Sequence, residues 1–213
     1  EKNSKEWMKY TVWVHRDISH TQMWDKRAGK ATMKNHMVAI GPLLETGKFY
    51  SFLIQLDQQV YRNQKVLDYL LSVTSEAIGK RIDVHIEFRH VSWHNAFCLQ
   101  AMKDAGVGIC NTEIPLTRHS YPLRAYATTD KGYVRYNGRR NLKVTQGSGG
   151  TKYDFLYTER EIGNRVQGQI RLRKKVNKIA VVYNNFVRTQ AVENGLQNIR
   201  QLSHRFAVSA IGE

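Results

Sequence analysis

No run of about 18 apolar residues occurs in the 213-residue chain, so the sequence offers no candidate for a membrane-spanning helix. Cysteine is scarce. Cys98 and Cys110 are the only two and lack metal-type spacing, which excludes a disulfide scaffold and a cysteine-based zinc site. Both are expected to be buried thiols in a reducing, cytoplasmic setting. Glu1 to Lys9 is polar and charged, unlike a signal peptide. No G-x-G-x-x-G turn follows the first strand-like run, against a dinucleotide fold, and no HExxH motif marks a zinc peptidase. Acidic residues are few: 18 Asp and Glu stand against 33 Lys and Arg, for a formal charge of +15 and a pI near 9.9. That imbalance favours anionic partners, either a small phosphorylated molecule or nucleic acid. The densest cluster, Arg171 to Lys175, falls near the end of a predicted helix, where cations complement the helix dipole.

What is present alternates between two periods. Ile82, Val84, Ile86 and Phe88 fall on one side of a strand, and Asp83, His85, Glu87 and Arg89 on the other. Further strand-like runs are Tyr10 to His15, Phe49 to Leu56, Val107 to Cys110, Tyr133 to Tyr136 and Ile179 to Tyr183. Between them lie helical patterns over Met33 to Leu44, Gln64 to Ile78, Asn95 to Ala105, Thr158 to Lys175 and Thr189 to Phe206. In the last of these, Val192, Leu196, Ile199, Leu202 and Phe206 share one face. The alternation predicts an α/β fold with six βα units and a parallel sheet.

The segments EFRHVSW (Glu87 to Trp93), GYVRYNGR (Gly132 to Arg139), YDFLYTE (Tyr153 to Glu159) and VVYNNFVRTQAVENGLQ (Val181 to Gln197) resemble the YecE-like family, a family of unknown function. The resemblance runs from about Tyr10 to Leu202 and implies a single-domain TIM-type (β/α) barrel over residues 1–213. The family's first two βα units have no counterpart here, so they are expected to be missing from this chain. Two departures stand out: Val91 where the family has proline, and Asp57-Gln58 where it has a proline pair.

In such a barrel, alternation turns His15, Gln55, Glu87, Arg135, Asn137 and Asn184 inward at C-terminal strand ends, the face where these folds carry their sites. One reading makes Glu87 and Arg135 a structural ion pair ringed by amides. The other makes the set an anion or metal site. Glu87 is then ligand or general base, His15 or His90 the acid/base group, and Arg135 a clamp on phosphate. Gln55, Arg89, Asn137, Arg139 and Asn184 complete the ligand-binding set. Mg²⁺ or Mn²⁺ is the cofactor this chemistry would use. The expected activity is binding or hydrolysis of a phosphoester or nucleic acid. The alternative is a non-catalytic nucleic-acid binder using its basic surface. One internal carboxylate is too few for a two-carboxylate glycosidase unless the absent first strands supply the other. A glycine-rich stretch, Gln146 to Thr151, and the nearby Arg140 and Lys143 are read as a flexible loop or, alternatively, a phosphate cradle. Trp93, Tyr153, Tyr157 and Tyr183 are read as packing aromatics or base-stacking platforms.

Overall fold

A computed structural model describes residues 5–6, 8–21, 24–139 and 153–204. It is an α/β fold of six strands, each parallel to its neighbours and paired in sequence order. The chain divides into two compact units, residues 1–109 and 110–213, with the boundary inside the fourth strand.

The first unit contains β1 (Tyr10–Trp13), β2 (Phe49–Gln55), β3 (Val84–Glu87) and the first two residues of β4 (Gly108–Glu113). Its helices are α1 (Lys26–Ala39), α2 (Gly41–Glu45), α3 (Gln64–Gly79) and α4 (Ala96–Asp104). Phe52 lies opposite Val84 and Ile54 opposite Ile86, so these four buried residues share one face. Of the α3 stripe that the spacing predicts, Val66, Leu67, Leu70, Thr74 and Ala77 are buried and Leu71 and Ile78 half-buried, while Tyr69 and Val73 join the buried face. Each large member contributes about 1.5–3 kcal/mol relative to exposure. The Asn63 side chain starts this helix by accepting the Val66 N–H at 2.9 Å.

α1 begins earlier than the apolar spacing suggested, because Asp25 accepts from the Arg27 and Ala28 N–H groups and caps a polar first turn. It stops before Gly41-Pro42, where proline opens α2 instead of continuing α1. α1 and α3 approach closely at Gly29, where a Cβ would sit 2.6 Å from Tyr69 Oη and 2.7 Å from Val73. Only glycine fits there.

The second unit contains the rest of β4, β5 (Lys131–Tyr136), β6 (Lys178–Tyr183), α5 (Glu159–Arg173) and α6 (Gln190–Ser203). Val134 and Tyr136 point from β5 into a core with Tyr157, Ile162, Val166, Leu172 and Val176. A capping box opens α5: the Thr158 hydroxyl accepts the Glu161 N–H, and Glu161 accepts the Thr158 N–H. β4 extends to Glu113, three residues past the predicted end at Cys110, and all six of its residues are buried. Cys98 and Cys110 are both free and buried.

α6 departs from expectation. Its apolar residues Val192, Leu196 and Ile199 are 65%, 50% and 58% exposed, and its buried residues are Asn194 and Asn198. Asn194 binds the main chain of Tyr157 through both ends of its amide, at 3.1 and 3.0 Å. Asn198 exchanges hydrogen bonds with Gln169 at 2.7 and 3.2 Å. Amide pairing replaces most of the expected greasy seam, of which Leu202 still packs against the core; Phe206 lies outside the described residues. Among the described residues, no helix is long and apolar enough to cross a membrane.

Candidate functional site

In the first unit, the C-terminal end of β3 carries Glu87 with no exposed surface. Its register partner on β2 is Gln55, so the two side chains share one strand face. Arg89 Nε donates to Glu87 Oε1 at 2.9 Å, a charge-assisted bond in a buried setting. Two residues back on the same face, His85 Nδ1 lies 2.6 Å from the Ser51 hydroxyl. The His85 ring lies so close over Gly108 that any Cβ there would overlap it.

His90 is also buried, in the turn that follows β3. Its Nδ1 accepts the Ser92 N–H at 3.1 Å and meets the Ser92 hydroxyl at 2.8 Å, while Tyr61 packs edge-on with ring centroids 4.3 Å apart. Val91 enters a 3₁₀ turn (Val91–Trp93). Trp93 is a core residue, stacked on Phe88 at 4.6 Å with its indole N–H on Val60 O at 2.8 Å. Asp57, at the other departure from the family, closes a local turn by accepting the Gln59 N–H at 2.9 Å.

His15 stands apart from this group. It lies two residues beyond β1, its side chain is 58% exposed, and Asp17 is 3.2 Å from its Nδ1. Among the described residues β1 pairs only with β2, and Trp13 at its end is 55% exposed. The His15 main-chain N–H donates to His36 Nε2 at 3.0 Å, which requires that nitrogen to be unprotonated. Burial and then the neighbouring His15 lower the His36 pKa from 6.5. The neutral form is therefore favoured by folding. Its contribution is present above pH 6.5 and is lost as pH falls from there through the folded-state value. Urea midpoints at pH 7.5 and 5 should fall further for the natural chain than for His36→Gln; equal falls would remove His36 from the acid response.

In the second unit, Arg135 is 1% exposed, opposite Thr112 on β4 and Val182 on β6. It lies on the strand face away from the Val134 and Tyr136 core. Asn137, just past β5, donates through Nδ2 to Thr112 Oγ1 at 3.0 Å and to Glu113 O at 3.2 Å. Asn184 Nδ2 then donates to Asn137 Oδ1 at 2.9 Å. Thr112, Asn137 and Asn184 thus form a hydrogen-bonded chain across the C-terminal ends of three parallel strands.

Arg139 goes elsewhere. It joins Glu113 (Nε to Oε1, 3.4 Å) and Glu161, with its guanidinium 5.6 Å from the Phe155 ring centroid. Glu113 is the centre of a cluster the sequence reading missed. Arg165 binds both its oxygens, through Nη2 to Oε1 and through Nε to Oε2 at 2.9 Å. The Tyr157 hydroxyl donates to Oε2 at 3.2 Å while accepting the Gly138 N–H at 2.9 Å. Burial pulls the Arg165 pKa down, and the Glu113 carboxylate more than offsets this, so it ends above its ordinary value. With both oxygens held, Glu113 serves as an anchor rather than a proton carrier. Tyr157 is a core residue in van der Waals contact with neighbouring rings, and Tyr183 packs 5.8 Å from it. Residues 140–152, with the glycine-rich stretch, Arg140 and Lys143, lie outside the described residues. Among the described residues, no group of three or more His, Cys, Asp or Glu side chains is placed to hold a metal ion.

Parallel strands with buried polar groups at their C-terminal ends define an α/β protein of the kind that places its sites at that end. The chain belongs to the family described as protein of unknown function DUF72, which matches residues 2–210. Among solved structures it is similar to a DUF72 family protein from Thermotoga maritima MSB8, at 26% identity and a TM-score of 0.83, over 95% of this chain and 76% of that one. A DUF72 family protein from Enterococcus faecalis V583 shares the fold at 22% identity and a TM-score of 0.79, over 95% of this chain and 81% of that one. No curated protein matches the chain.

Proposed function

We propose that this chain binds a phosphorylated ligand at the C-terminal ends of its parallel strands, within a TIM-type barrel architecture to which its six strands belong. The observation that carries the reading is Arg135: a buried guanidinium on the strand face where Thr112, Asn137 and Asn184 form their chain. A guanidinium is a bidentate partner for phosphate, and neighbouring amides can reorient to donate to the remaining oxygens. A formal charge of +15 draws such a ligand in. The phosphoester-hydrolysis reading takes Glu87 and His90, both buried in the first unit, as its candidate proton-handling groups.

The test is a thermal-shift series with inorganic phosphate, sugar phosphates and a short oligonucleotide on the natural chain and Arg135→Met. The expected result is a shift lost in the variant, equivalent to binding weaker by roughly tenfold or more. The variant's own stability should change little. A variant destabilised by about 3–5 kcal/mol with no ligand effect would make Arg135 half of a structural ion pair. Steeply salt-dependent oligonucleotide binding, indifferent to Arg135→Met, would replace this reading with a basic-surface nucleic-acid binder.

A further inference from the structure

The second unit holds a cavity of about 320 Å³ between α5 and the segment 123–125, a volume within the range of small-molecule sites. Val134 and Tyr136 are among its lining residues, so it lies on the strand face opposite Arg135. Leu123, Val134 and Leu172 give it an apolar wall, and Arg124, Arg165 and Arg171 a cationic one; no carboxylate among the described residues lines it. Arg165 is already balanced by Glu113. Among the described residues, Arg124 donates only to the adjacent Leu123 carbonyl, at 3.2 Å. Arg171 has no hydrogen-bond or ion-pair partner among the described residues. Two solvent-exposed arginines with no acidic partner among the described residues therefore line the cavity.

The cavity has fixed walls. Lys175 Nζ donates to Ala125 O at 2.8 Å, and Asn111 bonds both main-chain groups of Tyr126 at 2.9 and 2.8 Å. Its opening depends on Gly168, in the interior of α5. The backbone there is helical, and a Cβ would find only Arg171 Nη2, at 3.8 Å. Neither backbone conformation nor crowding calls for glycine at this position, while a larger side chain would take up the space.

We infer that this cavity binds a small anion carried on a flat apolar body, an aromatic carboxylate or an aromatic phosphate ester. Its charge sits between Arg124 and Arg171, and its body lies against Leu123, Val134 and Leu172. Guanidinium groups pair bidentately with either oxyanion and stack on flat rings. The inference does not rest on the strand-end site.

The test is amide NMR of the full chain with benzoate, phenyl phosphate, inorganic phosphate and benzamide. Benzoate or phenyl phosphate should move the Gly168 signal, and the tighter of the two identifies the oxyanion. Inorganic phosphate lacks the body and benzamide the charge, so each should bind weaker by roughly tenfold or more. Arg171→Gln should weaken the aromatic anions by a similar factor. Gly168→Leu should abolish their binding while raising the melting temperature, because leucine favours a helix interior over glycine. Arg135→Met should leave them bound, which separates this site from the strand-end one. Undiminished binding in Arg171→Gln or Gly168→Leu, equal binding of either control, or no response to either aromatic anion would overturn the inference.

Discussion

Glu113→Ala should cost the second unit about 3–5 kcal/mol, the loss expected when one partner of a buried ion pair is removed. The Glu113 side chain is 7% exposed and that of Arg165 13%, so deletion leaves a guanidinium out of water with no counter-charge. The Tyr157 hydroxyl loses its acceptor in the same step. Glu113→Gln keeps the shape but not the charge and should fall between the natural chain and the alanine variant. The double variant Glu113→Ala, Arg165→Met should recover part of the loss, because the stranded charge goes too. Urea unfolding followed by circular dichroism gives the values. A loss under about 1 kcal/mol would mean that the cluster is solvated like a surface pair. The effect reaches the candidate site as well. Glu113 O accepts from both the N–H and the side chain of Asn137, at 3.0 and 3.2 Å. Moving the end of β4 therefore disturbs the Thr112–Asn137–Asn184 chain, and phosphate binding should weaken in Glu113→Ala even though its side chain faces away from Arg135.

Why Glu113 escaped the sequence reading has a simple physical cause. Strand detection by apolar alternation ends where the apolar residues end, and β4 changes at Cys110 to Asn111, Thr112 and Glu113. Those residues remain in the strand because their polar groups are satisfied internally. Asn111 holds Tyr126, Thr112 holds Asn137, and Glu113 holds Arg165. Arg165 was equally hidden, one cation among many on a polar helix. The signal that could have found the pair was the length of the neighbouring strand: β5 runs on to Tyr136, opposite Glu113, and needs a partner that far.

The helices show the same division. In α3 the spacing named most of the buried face, because apolar contact is what chiefly specifies it; Tyr69, which buries its ring and donates to Ile18 O at 2.9 Å, was missed. In α6 the spacing found a real apolar stripe but could not say which face the unit buries. Asn194 and Asn198 meet hydrogen-bonding partners at 2.7–3.2 Å, and their face is the one turned inward. Periodicity reports amphipathicity; the partner surface decides which side wins. The strand faces of Gln55, Glu87 and Arg135 were legible for the opposite reason, since a two-residue period leaves no choice within a continuous strand. His15 was not, because β1 ends before it and alternation carries no information past the last paired residue.

Raising the pH from 9 to 11 should remove on the order of 5 kcal/mol of stability, comparable to the whole stability of many domains. Four tyrosines cause it. Burial, then the nearby Asp25 charge, pushes Tyr69 up to about 12. Burial is also the main cause for Tyr136, Tyr157 and Tyr183, all raised well above 10. Glu113 adds to the rise in each of these three, and the Gln169 amide that donates to Tyr136 Oη works against it. The folded state thus keeps protons that the unfolded chain releases near pH 10. The stabilisation is complete below that pH and is lost as pH rises through the folded-state values, at about 1.4 kcal/mol per pH unit for each group. Lysine neutralisation over the same range relieves self-repulsion in a chain of charge +15, so it acts in the other direction and cannot account for a net loss. The ultraviolet band of tyrosinate provides the check. Tyr69, Tyr136, Tyr157 and Tyr183 should ionise only as the fold is lost, in one cooperative step. Replacing Tyr136, Tyr157 and Tyr183 together by phenylalanine should leave Tyr69 as the main source of the alkaline slope. Ionisation of all 11 tyrosines near pH 10 with the circular dichroism unchanged would show that these phenols are not held out of water.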